Sequence, residues 1–285
     1  MDTHRTRQDW TTVTLPKLGV AVQRLGLAPN YGLVADDLPW AADQGFNYWV
    51  WSPLGRFGAT TPGLRKVLQK DRERHVVAVL GGGYWPWMVR WSVDKARKEL
   101  GIDQVDILQL GWLGVTSAFG PAIADTLAEL KQSGAIRATG TSIHDRPRAG
   151  KLAADGALDM FMLRYNAAHP GAEREVFPHL AAHDPIVVAY TGTSWRQLLK
   201  TPKGHQAPWP GGPVGAPVPP MTAALCYRFQ LQSPHVHVAL TGPGSRAQLQ
   251  ENLRALTDGP LSPEEYAWMR AYGLAVAGKA PVGPS

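Results

Sequence analysis

A chain of 285 residues with 44% hydrophobic and 18% charged side chains has globular rather than disordered composition, and its length suits one α/β barrel with a single core. The net charge is +6 without any dense Lys/Arg run, which argues against nucleic acid and leaves a small anionic or aromatic molecule as the expected ligand. No run of about 18 apolar residues offers a membrane span, and the N-terminal MDTHRTRQDW lacks the apolar core of a signal peptide, so a cytoplasmic protein without a membrane partner is expected. A lone cysteine, Cys226 in AALCYRF, excludes an internal disulfide and reads as a buried structural thiol. The oligomeric state stays open.

Taken in chain order, strand and helix signals alternate. An extended pair (TTVTLP, GVAVQRLGL) precedes a polar helix start at Asp36 and Asp37. NYWVW (47–51) reads as a strand, 61–70 as a helix, VVAVL (76–80) as a strand and 92–100 as a helix. VDILQL (105–110) is a strand. IADTLAELKQSG (123–134) is an amphipathic helix closed by Gly134. Strand 136–142, helix 146–155, strand 160–165, helix 173–183 and strand 186–190 follow. A Pro/Gly-rich insertion at 200–220 then reads either as a rim loop or lid, or as a disordered spacer. Helix 221–233, strand 236–241 and helix 245–256 complete the alternation. A last helix starts at Ser262-Pro263-Glu264-Glu265, a capping box with proline in the first turn.

Counted from VQRLGL, these are eight βα units. Continuous apolar strands between helices argue for a parallel sheet buried on both faces, and eight of them for a closed (β/α)8 barrel forming one domain over residues 1–285. LGGG at 80–83 follows a strand but lacks the spacing of a dinucleotide fingerprint.

GFNYW, ELGIDQVDILQL, LAELKQSGAIRATGTS, LRYNAAHPGAEREVFPHL, VVAYTGT and TGPGSRAQLQENLRAL occur in an order and spacing that resemble the aldo-keto reductases from hairpin to last helix. The resemblance is to a divergent bacterial branch. It implies a TIM barrel with NADP(H) extended across its C-terminal mouth. It also implies carbonyl reduction by a tyrosine proton donor, tuned by a lysine and an aspartate and assisted by a histidine. Carried across, the aspartate falls on Val50 and the tyrosine on Gly55, or on Phe57 in a shifted loop. The lysine falls on Gly81 or Gly82, and the histidine on Gly111. None of these side chains can donate or accept a proton.

The cofactor positions match better. Tyr190 falls on the tyrosine that stacks on nicotinamide, with an ordinary strand-end tyrosine as the alternative. Gly242, Gly244, Ser245, Arg246, Gln248 and Asn252 match the adenine and 2′-phosphate segment, with a plain N-capped helix as the alternative. Ser142 is kept at the carboxamide end, but Ile143 and Met162 stand where the family has Asn and Gln.

Other polar and aromatic residues follow the strands, where barrel enzymes carry their sites. Arg164 shares a strand face with Met162; it either meets an anionic substrate or pairs structurally with a residue such as Glu173. His144 and His169 are candidate acids or bases, or solvated loop histidines. Trp51, Ser52, Arg56, Trp85, Trp87 and Trp112 suggest an aromatic pocket with one basic group. His235 and His237 share a strand face without a supporting carboxylate or thiol cluster, so no metal site is expected. The leading expectation is an NADP(H)-binding member with its tetrad chemistry lost or replaced. The alternatives are a non-redox binding or regulatory pseudoenzyme, and a repurposed non-redox enzyme using Arg164 with His144 or His169.

Overall fold

The computed structural model describes residues 9–114, 119–202, 207–213 and 217–278, with Trp112 described for its backbone alone. Eight short parallel strands form a closed barrel: β3 (Leu25–Leu27), β4 (Tyr48–Trp51), β5 (Val76–Gly81), β6 (Val105–Leu113), β7 (Ile136–Ile143), β8 (Met160–Arg164), β9 (Ile186–Tyr190) and β10 (Val238–Thr241). β10 pairs with both β9 and β3 and so closes the ring. Before it, β1 (Thr12–Thr14) and β2 (Ala21–Gln23) make an antiparallel hairpin. Asn47, just ahead of β4, holds that hairpin through Gln23 N–H (2.8 Å) and the Ala21 carbonyl (2.9 Å), so the hairpin lies at the N-terminal end of the barrel.

The strands are apolar on both faces because one face fills the barrel and the other meets helices. β4 illustrates the division: Val50 faces the barrel mouth, while Trp51 turns out and donates its indole N–H to Thr61 Oγ1 at 2.9 Å. On that outer face Trp49 Nε1 also donates, to His75 Nδ1 at 3.1 Å. At the opposite end from the mouth, the buried Asp106 carboxylate ties three strands together. It pairs with Arg72 (2.6 Å) and Arg137 (3.1 Å) and accepts the Val77 N–H at 2.9 Å.

The helices are α1 (Asp37–Asp43), α2 (Thr61–Lys70), α3 (Pro86–Leu100), α4 (Pro121–Gln132), α5 (Arg146–Ala154), α6 (Ala172–Glu175), α7 (Ala223–Gln232), α8 (Arg246–Asn252), α9 (Arg254–Thr257) and α10 (Pro263–Val276). Three differ from expectation. α3 starts at Pro86, not at 92, because Trp85 is extended and a proline fits the first turn. The expected helix 173–183 is short, α6 giving way to a 3-10 turn over Phe177–His179 where Pro178 lacks the N–H an α-helix needs. The expected helix 245–256 divides at Leu253 into α8 and α9. The capping box holds: Ser262 N–H donates to Glu265 (2.9 Å), and Glu265 N–H to Ser262 Oγ (3.1 Å). Gly134, with φ 75°, ends the fourth helix as expected.

The described parts of the 200–220 insertion carry no helix or strand, and they pack on α10. Trp209 meets Trp268 edge-on at 4.9 Å, and Trp268 Nε1 donates to the Ala207 carbonyl at 2.8 Å. Cys226 is buried, and burial pushes its thiol up to about 12, so it stays protonated and inert. Among the described residues no helix is long and apolar enough to cross a membrane.

Candidate functional site

The C-terminal ends of the barrel strands open on a cleft of about 790 Å³, a size that suits a small organic ligand. Val50, Leu80, Ser142, Met162, Tyr190 and Leu240 face it from six different strands, as inward positions at strand ends must. The loop after β3 contributes Ala28, Asn30 and Tyr31. Among the described lining residues there is no lysine and no carboxylate.

Of the positions where the family tetrad is expected, some line the cleft and some do not. Val50, Gly55 and Phe57 line the cleft. At the end of β5 the inward position belongs to Leu80; a Cβ on Gly81 would instead point at α3, 2.8 Å from Ser92 Cβ, and one on Gly82 would strike Met88. Gly111 is buried on β6, and a Cβ there would lie 3.0 Å from the Gly81 carbonyl and 3.7 Å from Leu80. Its backbone is outside the left-handed region, but a Cβ that close to a backbone carbonyl would need a small local shift.

His144 and Tyr190 are the polar pair in the cleft. Tyr190 ends β9, His144 follows β7, and the phenol oxygen lies 2.9 Å from His144 Nε2. Burial pushes the Tyr190 phenol up to about 12, against smaller opposing effects of the Ser142 hydroxyl and the Arg164 charge. Burial, and then the Arg164 charge, hold His144 below its ordinary value. Both are therefore neutral at pH 7, and which of them donates in this contact depends on the His144 tautomer.

Arg164 and His169 lie elsewhere. Both line a separate cavity beneath α10 rather than the mouth cleft, although the Arg164 charge is felt at His144 and Tyr190. The expected Arg164–Glu173 pair is not formed; Glu173 is held by Arg270 at 2.7 Å and by the Tyr165 hydroxyl at 2.8 Å. His169 approaches Asn166 Oδ1 at 3.2 Å.

At the other end of the cleft, Gly242 lies against the Tyr31 ring, where a Cβ would come within 2.6 Å. Ser245 caps α8 through Gln248 N–H (3.3 Å), and Gln248 Oε1 accepts from Gly244 N–H (2.8 Å). Asn252 is buried on Thr241 Oγ1 (2.8 Å). Arg246 turns to Asp37 (2.8 Å) with its guanidinium over the Trp40 ring at 5.4 Å.

The expected aromatic pocket is not assembled as read. Trp51 is buried against α2, Ser52 donates to the Leu80 carbonyl at 2.6 Å, and Arg56 is exposed. Trp85 is exposed and stacks on Trp87 at 6.4 Å, outside the cleft. The Trp112 side chain lies outside the described residues. The aromatic and basic groups that do line the mouth are Tyr31, Phe57, Tyr190, Tyr227, Trp195 and Arg196. The last two belong to a turn in which Thr191, Ser194, Trp195 and Arg196 all have φ between 49° and 67°. Left-handed backbone at non-glycine residues costs on the order of 1 kcal/mol each, and such strain gathers at functional sites. A Trp-Arg pair following the seventh barrel strand was the signal available in the sequence.

His237 is buried and accepts Val187 N–H at 3.0 Å; His235 packs on Phe177 with ring centroids 5.0 Å apart. Among the described residues no group of three or more His, Cys, Asp or Glu gathers where it could hold a metal ion.

The same architecture recurs in known proteins. The model of the aldo/keto reductase family matches residues 40–201. The NADH-specific methylglyoxal reductase of Escherichia coli strain K12 is 26% identical over 298 aligned positions, covering 86% of this chain and 91% of that protein. An aldo-keto reductase of Bacillus halodurans in its holo form superposes with a TM-score of 0.76 at 19% identity, over 92% of this chain and 96% of its own. An aldo/keto reductase of Klebsiella pneumoniae, solved in complex with NADP and acetate, gives 0.69 at 21% identity over 92% and 95%. With more than half its length matched by the family model and a closed eight-stranded barrel beneath that match, the chain belongs to the aldo/keto reductase family.

Proposed function

We propose that the protein binds NADP(H) across the barrel mouth, and that carbonyl reduction by the ordinary Tyr/Lys/His/Asp set has been replaced by chemistry centred on Tyr190 and His144. The observation that carries the reading is the 2.9 Å contact between the Tyr190 phenol and His144 in a cleft whose described lining has no lysine and no carboxylate. Family membership and the NADP complex of the Klebsiella relative support the cofactor.

The residues present fit such a group. Tyr190 offers a flat face at the end of β9, Ser142 a hydroxyl beside it, and the cleft continues to Tyr31 and Gly242, where the lack of a side chain lets the Tyr31 ring pack closely. Gly244 and Ser245 would take the adenine end. The nicotinamide cofactor, when bound, supplies or accepts a hydride. Ser142 would hold the carboxamide without the amide side chains usual in the family, since Ile143 and Met162 stand there.

The two neutral groups divide the proton work. His144, held below its ordinary value, is a proton acceptor at pH 7, and the phenol, pushed up to about 12, is a weak acid. A base of this kind suits removal of an alcohol proton better than donation to a carbonyl. Arg196 and Trp195 would receive an anionic or aromatic substrate at the rim.

Stopped-flow measurement of NADPH oxidation with methylglyoxal, and of NADP reduction with small alcohols, tests the reading. Turnover in either direction should fall by about 10²-fold or more in His144→Ala and Tyr190→Phe. Turnover that both variants leave unchanged would overturn this assignment of the proton-handling groups.

A further inference from the structure

Beside the mouth, a second cavity of about 560 Å³ lies beneath α10. Four arginines line it from four elements: Arg146 opens α5, Arg164 ends β8, Arg174 stands on α6 and Arg270 on α10. Glu173 is the one acidic residue among the described lining, and its carboxylate is already engaged. Arg270 Nη1 reaches its two oxygens at 2.7 and 2.9 Å, and the Tyr165 hydroxyl donates to it at 2.8 Å. Arg146 directs its Nε to Glu175 at 3.0 Å.

Arg164 and Arg174 have no ion-pair partner among the described residues. The Arg164 Nε is buried without a hydrogen-bond acceptor. A guanidinium N–H of Arg164 withdrawn from water and left unpaired is unfavourable, and so is a second positive charge beside it, that of the exposed Arg174, with no carboxylate of its own. A doubly charged oxyanion relieves both, because the planar forks of two arginines match the oxygens of one phosphoryl group. The cavity has room for more than the phosphoryl group itself.

We propose that this cavity binds a small organic molecule carrying a phosphoryl group, gripped by Arg164 and Arg174 with Arg146 on its flank. The site is distinct from the mouth cleft, which Arg164 does not line, although Arg164 is the register partner of Tyr190 on the neighbouring strand.

Calorimetric titration of the full-length protein at low ionic strength, with the mouth saturated by NADPH, tests this, using inorganic phosphate and glycerol 3-phosphate as probes. Saturable one-to-one binding is expected, tighter for glycerol 3-phosphate, and weakened about tenfold or more in Arg164→Gln and in Arg174→Gln. Arg174 is exposed, so its variant should fold normally and bind NADPH as the parent does. Failure of NADPH to bind would count against the mouth reading and not against this one. No saturable binding of either probe, or affinity unchanged in both variants, would overturn the proposal. Binding of phosphate without glycerol 3-phosphate would overturn the organic ligand.

Discussion

At the scale of single residues, the mouth is governed by where burial leaves protons. Tyr190 keeps its proton because a buried phenolate is unfavourable, and His144 stays neutral because it is partly buried and Arg164 adds a positive charge nearby. Removing that charge should therefore let the His144 pKa rise. NMR titration of the ring protons in Arg164→Gln checks this; a midpoint no higher than in the parent contradicts the coupling. Gly111 shows the limit of the family analogy. Its φ lies outside the left-handed region, but a Cβ there would sit 3.0 Å from the Gly81 backbone carbonyl, so a histidine at this place would need that carbonyl to give way.

Elements bring strain and charge into defined places. Asp106 anchors β5, β6 and β7 by serving two arginines and a backbone N–H. Asp106→Ala strands those partners and should cost about 3–5 kcal/mol, read as a lowered midpoint in urea; a loss below about 1 kcal/mol would show that water replaces the carboxylate. His75 joins β5 to Trp49 and is 5% exposed. Burial lowers its pKa from the ordinary 6.5 to about 4. Between those two pH values the unfolded chain binds the extra proton, so stability falls as pH drops through that window, by on the order of 3 kcal/mol when complete. His75→Gln should flatten this dependence in denaturant titrations across pH; an unchanged slope contradicts it. Much at this scale was legible. Periodicity and caps located the strands and helices, and Ser262 to Glu265 marked the start of α10. The pocket was less so. Strand alternation that turns Val50 inward must turn Trp51 outward, yet the tryptophans near strand ends read as one pocket because side-chain facing is decided residue by residue. Arg164 shares a face with Met162, but as the last strand residue it escapes into another cavity. The left-handed positions at Thr191 and Ser194 to Arg196 carry no glycine to announce them, and the one glycine in that stretch, Gly192, is not left-handed.

Across the whole molecule, the closed barrel joins β3 to β10, so removing any stave opens the ring. We propose that residues 1–285 form one domain, which calorimetry should report as a single cooperative transition; two resolved transitions contradict it. The barrel collects Tyr190, His144, Ser142 and Gly242 from distant parts of the sequence into one cleft, an arrangement that suits a dinucleotide held across the mouth. The most direct test is a fluorescence titration with NADPH, with NADH in parallel, on the parent and on Tyr190→Ala. Saturable one-to-one quenching in the parent, weakened about tenfold in the variant by loss of the stacking face, is predicted. Absence of saturation at millimolar cofactor, or equal affinity in the variant, contradicts dinucleotide binding at the mouth.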